Sequence, residues 1–83
     1  MDGEQIRAAR ALVGWTARDL AEKSGISYPT AQRIDATRGP VSGRHETIEA
    51  IRSALESAGV QFLRAGDLSA GGGVCLRERP GAD

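Results

Sequence analysis

The side chains best suited to recognising another molecule lie together in one short stretch, "SYPTAQRI", at residues 27–34. If a helix begins after Ser27, its inner side carries Ala31 and Ile34. Its outer side then carries a phenol, an imino ring, an amide and a guanidinium, on Tyr28, Pro29, Gln32 and Arg33. The phenol, amide and guanidinium donate or accept hydrogen bonds without reacting, so the stretch predicts a binding surface.

Residues that could catalyse a reaction or bind a metal are few. The chain has one histidine, His45, and one cysteine, Cys75, which are too far apart in sequence to have metal-ligand spacing. No set of nucleophile, base and orienting group can be assembled around them. The glycine run at 71–73 is not followed by a helix with a lysine, so it indicates a hairpin loop and not a phosphate cradle. We expect no enzymatic activity, no metal and no cofactor.

The composition is typical of one small globular domain. The 83 residues are 40% hydrophobic and 27% charged, and so short a chain has a thin margin of stability. A second copy of the chain is therefore a reasonable partner. No apolar run approaches the roughly 18 residues of a membrane-spanning helix, and the first residues do not resemble a secretory signal. With a single cysteine, an internal disulfide is impossible, and a cytoplasmic location is expected.

The charge is unevenly distributed, although the net formal charge is zero. Residues 1–45 contain seven Lys or Arg and five acids, 7 − 5 = +2, whereas residues 46–83 contain four Arg and six acids, 4 − 6 = −2. This mild asymmetry permits nucleic-acid binding by the first part of the chain and does not require it.

Hydrophobic spacing predicts four helices, at about residues 4–13, 17–23, 28–37 and 45–58. The predicted N-caps of the second and third helices are Thr16 and Ser27, and Pro29 falls in a first turn, where its missing N–H costs little. The stops are glycines, at Gly14, Gly25, Gly39 and Gly59. Side chains at inward spacing are Ile6, Ala9, Leu12, Val13, Leu20, Ala21, Ala31, Ile34, Ile48, Ile51, Leu55 and Ala58.

After Gly59 the pattern alternates, which predicts a β-hairpin from "VQFL" and "VCLRE" joined by a glycine-rich loop. Its apolar face comprises Val60, Phe62, Val74 and Leu76. An isolated hairpin is marginal in water, so this face must cover the chain's own helices or join two protomers, and one hairpin can do both. The predicted organisation is a helical bundle at 1–59, a hairpin and candidate dimer interface at 60–79, and a frayed tail at 80–83.

The second and third helices are short and are joined by "SGIS", which is the helix-turn-helix layout. In that layout the second helix lies in the DNA major groove and the first crosses the backbone. A small helical bundle of another kind contains a similar corner, so spacing alone leaves DNA binding and a purely structural role equally open.

The stretch "IRAARALVGWTARDLAEKSGISYPTAQRIDATRG" resembles the helix-turn-helix domain of the phage repressor and Cro family, the XRE-type bacterial regulators. The features that match are Leu20-Ala21, Gly25-Ile26-Ser27, Thr30, Ile34-Asp35 and Gly39. "TIEAIRSALESAGVQF" is similar to the family's next helix, so the resemblance covers about residues 4–62. It implies a mainly α fold, a four-helix repressor-like bundle with a short C-terminal hairpin.

The resemblance also implies a function, that of a homodimeric transcriptional regulator, by default a repressor, on a palindromic operator. The recognition helix would be 28–37, with base contacts from Ser27, Tyr28, Pro29, Gln32 and Arg33. Phosphate contacts would come from Thr16, Arg18, Arg38 and Arg44. Ala17 stands where much of the family has a phosphate-binding glutamine, a contact that Arg18 could partly replace. Arg10 and Asp35 match a family pair that forms a structural salt bridge.

An alternative comes from a different functional class. The chain could be an antitoxin or co-regulator whose helix-turn-helix is mainly a scaffold and whose hairpin binds another protein. The zero net charge slightly favours this alternative. A plain structural domain is a third, weaker interpretation.

Overall fold

A computed structural model describes residues 1–64, 66 and 70–77. Within these residues the chain is mainly helical, with four helices followed by one two-stranded antiparallel sheet. The elements are α1 (Gly3–Val13), α2 (Ala17–Ser24), α3 (Tyr28–Asp35), α4 (His45–Ser57), β1 (Val60–Leu63) and β2 (Gly73–Leu76). The predicted tail at 80–83 and part of the predicted hairpin loop and second strand lie outside the described residues.

Local capping sets the end of α1 and the starts of α2 and α3 where the sequence predicted them. The Thr16 hydroxyl accepts a hydrogen bond from the Asp19 N–H at 3.1 Å, and the Asp19 carboxylate accepts one from the Thr16 N–H at 2.9 Å. This reciprocal capping box satisfies two of the amide groups left open at a helix start. Gly14 and Gly25 end α1 and α2 with φ of 72° and 70°, in the left-handed region that favours glycine.

The third helix ends at Asp35, two residues before the predicted end at 37. The cause is a contact from α1. The Arg7 guanidinium donates to the backbone carbonyls of Asp35 and Thr37, and so satisfies groups that a further turn would have used. A cation at a helix C-terminus is also favoured by the helix dipole. Residues 36–44 then leave the helix axis as an irregular connection to α4, which we call the 36–44 segment.

The core lies where the four helices and the sheet meet. Its buried apolar side chains are Ile6, Ala9, Leu20, Ala21, Ala31, Ile34, Ile51, Leu55 and Val60. Trp15 and Val13 are partly buried against it. Leu12 differs from its predicted inward position and is 38% exposed. The inner stripe of α1 runs through Ile6, Ala9 and Val13, and Leu12 falls beyond its edge.

The hairpin packs on the chain's own helices. Val60 pairs with Leu76 and Phe62 with Val74, so the four side chains share one face. Val60 is only 1% exposed, and the other three are partly buried against the core. This corrects the interface prediction for Val60, which has no surface to offer a second chain.

A glutamine of α1 with no distinctive sequence pattern links the sheet to the helices. The Gln5 side-chain amide donates to the carbonyl of Leu63 at 3.1 Å and to that of Gly73 at 2.9 Å. One side chain of α1 thus links both strands of the hairpin to the helical part of the fold.

Two carboxylates with lowered pKa values predict a loss of stability in acid. The Thr16 backbone N–H, followed by the Thr16 hydroxyl, lowers the pKa of Asp19 from 3.8, and the Gly39 N–H lowers the pKa of Glu4 from 4.5. A group with a lowered folded pKa stabilises the fold above its unfolded pKa and loses that contribution as pH falls through the folded value. The urea midpoint should therefore begin to fall at about pH 5 and keep falling as the solution becomes more acid.

The Asp19→Asn variant tests this dependence. It should be less stable than the parent chain at pH 7, and its urea midpoint should change less between pH 5 and pH 2.5. The Glu22→Gln variant, on the exposed side of the same helix, is the control. Equal pH dependence in Asp19→Asn and the parent chain would contradict the assignment.

Candidate nucleic-acid interface

The outer side of α3 carries three of the five predicted base-contacting residues as exposed side chains. Pro29, Gln32 and Arg33 point away from the buried Ala31 and Ile34. We call these three exposed residues the α3 face. It combines an apolar ring, an amide and a guanidinium on little more than one turn of helix, which is a suitable set for the polar edges and methyl groups of bases.

Ser27 is occupied by a structural role. Its hydroxyl oxygen accepts from the Thr30 N–H at 3.3 Å, and the hydroxyl donates to the Thr30 hydroxyl at 2.9 Å. Both contacts cap the start of α3. The Ser27 hydroxyl is therefore engaged within the helix start and is a poor candidate for a base contact.

Tyr28 lies at the junction of α2 and α3 and is half-buried. The guanidinium carbon of Arg18 is 4.1 Å from the centroid of its ring, which is a cation–π contact. The Gln32 amide nitrogen donates to the Tyr28 hydroxyl oxygen at 3.0 Å. The resemblance implies a phosphate contact for Arg18 and a base contact for Tyr28, and the sequence does not indicate that the two side chains contact each other.

Arg33 reaches toward the 36–44 segment but remains exposed. Its guanidinium is 3.5 Å from the Ser42 carbonyl oxygen, at the outer limit of a hydrogen bond. Arg38 and Arg44, both in that segment, are exposed as well. Between residues 27 and 44 the sequence has these three arginines and one acid, Asp35, so this region has a positive balance.

One acid borders the arginines. The Glu4 carboxylate accepts from the Gly39 N–H at 2.9 Å, and the charges of Arg7 and Arg38 add to the lowering of its pKa. Glu4 therefore stays ionised near Arg38 and offsets part of its charge.

The N-terminal residues fasten the 36–44 segment. The Gly3 N–H donates to the Gly39 carbonyl at 3.0 Å, and the Val41 N–H donates to the Met1 carbonyl at 3.2 Å. Gly3 is buried, and a Cβ at its position would lie 1.9 Å from the carbonyl oxygen of Thr37. The backbones touch here because Gly3 has no side chain. Nothing in the local sequence pattern signals this contact, since the two partners are far apart along the chain.

The predicted Arg10–Asp35 salt bridge is present and has two parallel bonds. Arg10 Nε is 2.7 Å from Asp35 Oδ1, and Arg10 Nη2 is 3.0 Å from Asp35 Oδ2. Arg10 Nη1 also donates to the Trp15 carbonyl oxygen at 2.8 Å. One guanidinium thereby joins α1, α3 and the connection before α2, which fixes how α3 is presented.

Thr16 and Ala17 occupy the start of α2. The exposed Thr16 hydroxyl accepts the capping bond described above, so its role in the fold is to start α2. The side chain of Ala17 has no polar group. It therefore cannot make the phosphate contact that a glutamine makes at this position in much of the family that the sequence resembles.

Elsewhere the described surface offers few polar side chains grouped to bind a ligand. A groove of about 510 Å³ lies between Trp15, the end of α2 and α4, and its lining contains small side chains and one lysine, Lys23. Within the described ranges no three His, Cys, Asp or Glu side chains are grouped to bind a metal, and no helix has the length and apolar character to cross a membrane. No protein-family model matches the chain, and no similar curated protein was found.

Proposed function

We propose that the protein is a cytoplasmic transcriptional regulator of the XRE type that binds double-stranded DNA sequence-specifically. In this proposal α2 and α3 form a helix-turn-helix, and α3 enters the major groove. The observation that carries the proposal is the α3 face, an imino ring, an amide and a guanidinium exposed on one side of the helix, followed along the chain by the exposed Arg38 and Arg44.

The dimensions of α3 suit a major groove. Its eight residues make a helix about 12 Å long, and a helix with its side chains is about 10–12 Å wide. The B-DNA major groove is about 12 Å wide. The connection from α2 is only Gly25–Ser27, so α2 lies against α3 and can cross the backbone while α3 reads the bases.

Each exposed group has a partner in this arrangement. Arg33 forms a bidentate contact with guanine, Gln32 with adenine, and Pro29 packs on a thymine methyl. Phosphates are bound by Thr16, Arg18, Arg38 and Arg44, whose contacts position the helix and carry no sequence information. Arg10 and Asp35 hold α3 in place from behind.

We further propose that the regulator is a homodimer acting as a repressor. Two copies related by a two-fold axis bind a palindromic operator whose half-sites are about 34–36 Å apart. The partly exposed Phe62, Val74 and Leu76, together with a strand edge, are the proposed dimer contacts, since Val60 is buried.

Two arginine variants distinguish the proposed base contact of Arg33 from the proposed phosphate contact of Arg38. Random-sequence duplexes selected by the parent chain provide the operator, and affinities are measured on operator and unrelated duplexes over a salt series. Arg33→Ala should lose about tenfold in affinity for the operator and little for unrelated duplexes, because it removes a base contact. Arg38→Ala should weaken binding to both about equally and reduce the salt slope by about 1 per site.

Arg77→Ala, after β2, is the matched control and should bind both duplexes like the parent chain. Absence of binding by the parent chain to any duplex at low salt would contradict the proposed function. An Arg33→Ala variant with full operator affinity would instead contradict only the assignment of Arg33.

A further inference from the structure

Three side chains from two helices form a connected unit at the start of α3. The Arg18 guanidinium, in the first turn of α2, lies over the Tyr28 ring at 4.1 Å. The Gln32 side-chain amide, one turn farther along α3, donates to the Tyr28 hydroxyl oxygen at 3.0 Å. Arg18 and Gln32 are exposed, and Tyr28 between them is half-buried.

The cation–π contact restrains the aromatic ring. Tyr28 is the first residue of α3, where a side chain has few neighbours on its own helix to hold it. Because Arg18 covers one side of the ring, that side is not open to a thymine methyl. The ring is instead held at the α2–α3 junction, with its hydroxyl directed along α3 toward Gln32.

The hydrogen bond to Tyr28 determines what Gln32 can offer to a base. A side-chain amide has two N–H donors and one carbonyl acceptor. One N–H is used on the Tyr28 hydroxyl, which leaves one N–H and the carbonyl oxygen. Adenine presents a complementary pair in the major groove, the N7 acceptor beside the N6 amino donor.

We propose that Tyr28 is a positioning residue, held by Arg18, whose hydroxyl orients the Gln32 amide so that Gln32 selects an A·T base pair. The inference rests on the DNA-binding function proposed above and refines it. It replaces the expected Tyr28 base contact with an indirect role. Arg18 itself is exposed, and the N–H groups in the plane of its guanidinium are not used by the contact with the ring.

Tyr28→Phe is the informative variant, because it removes one oxygen and keeps the ring on which Arg18 rests. On operators carrying each base pair at the Gln32 position, the parent chain should prefer A·T by about tenfold. Tyr28→Phe should reduce that preference to about threefold or less and leave affinity for unrelated duplexes unchanged. In a Gln32→Ala background, adding Tyr28→Phe should have no further effect at this position, because the two residues act as one unit.

A second readout does not need DNA. In a ¹⁵N–¹H spectrum of the free protein, the Gln32 side-chain amide signals should shift in Tyr28→Phe toward those of solvent-exposed glutamines. A full A·T preference in Tyr28→Phe, or unchanged Gln32 amide signals, would overturn the inference and leave the proposed function intact. Failure of the parent chain to bind any duplex, with the amide shift still present, would overturn the base selection together with the proposed function.

Discussion

Replacing Arg10 by alanine should lower the free energy of unfolding by about 2–3 kcal/mol, because it removes one partner of a mostly buried ion pair. The side chains of Arg10 and Asp35 are 21% and 15% exposed, so each charge has lost most of its water. Without Arg10, the Asp35 carboxylate and the Trp15 carbonyl oxygen lose three hydrogen bonds between them. The value lies below that of a fully buried pair because some water still reaches both groups.

Urea unfolding followed by helical circular dichroism measures this effect. Glu49→Ala is the control, since Glu49 pairs with Arg52 on the surface at 3.4 Å with side chains 45% and 32% exposed. Its loss should cost less than about 0.5 kcal/mol. The double variant Arg10→Met with Asp35→Leu should be more stable than Arg10→Ala, because no unpaired charge remains. If Arg10→Ala were no less stable than Glu49→Ala, the Arg10–Asp35 pair would not hold α3 in place.

The features that sequence predicted correctly depend on neighbours a few residues apart. Thr16 caps α2 through Asp19, Ser27 caps α3 through Thr30, and Gly25 ends α2. Each of these contacts spans three or four residues, so a short window of sequence contains both partners. The two strands were also predictable, because alternation places Val60 and Phe62 on one face whatever that face covers.

What the sequence did not reveal depends on contacts between distant segments. The end of α3 is set by Arg7 from α1, and the sheet is held by Gln5, more than fifty residues before Leu63. Neither contact leaves a periodic signal. The salt bridge between Arg10 and Asp35 was predicted only from the resemblance to a family, because the spacing of the two residues does not by itself indicate a contact.

The candidate site shows the same division. Helical periodicity correctly placed Gln32 and Arg33 outside and Ala31 inside. It could not show that Arg18 would lie over Tyr28, because that contact depends on the angle between α2 and α3. A residue can therefore be assigned to a surface from sequence, while its role there requires the packing of the helices.

Replacing Gly3 by alanine should destabilise the fold by about 2–3 kcal/mol, although alanine is the better helix former. The new Cβ would lie 1.9 Å from the Thr37 carbonyl oxygen and 2.7 Å from its carbonyl carbon, both backbone atoms. The chain must then move α1 and the 36–44 segment apart. This movement strains the Gly3 N–H bond to Gly39 and the Val41 N–H bond to Met1.

Gly71→Ala is the matched control for this variant, because its Cβ would meet nothing within 4 Å and its φ is not positive. It should change the free energy of unfolding by less than about 0.5 kcal/mol. The two variants are compared by their urea midpoints. A shift of the midpoint reports a change in the free energy of unfolding when the slope of that free energy against urea concentration is the same for both. Equal midpoints for Gly3→Ala and Gly71→Ala would show that the close approach at Gly3 is not needed.

The Gly3→Ala variant also connects the fold to the proposed function. If the N-terminal residues hold Arg38 and Arg44 against phosphates, then moving the 36–44 segment should weaken binding to operator and unrelated duplexes alike by several fold. The A·T preference at the Gln32 position should stay, because Tyr28 and Arg18 lie at the other end of α3. Loss of that preference with full affinity for unrelated duplexes would mean that Gly3 acts on α3 itself and not on the phosphate-binding segment.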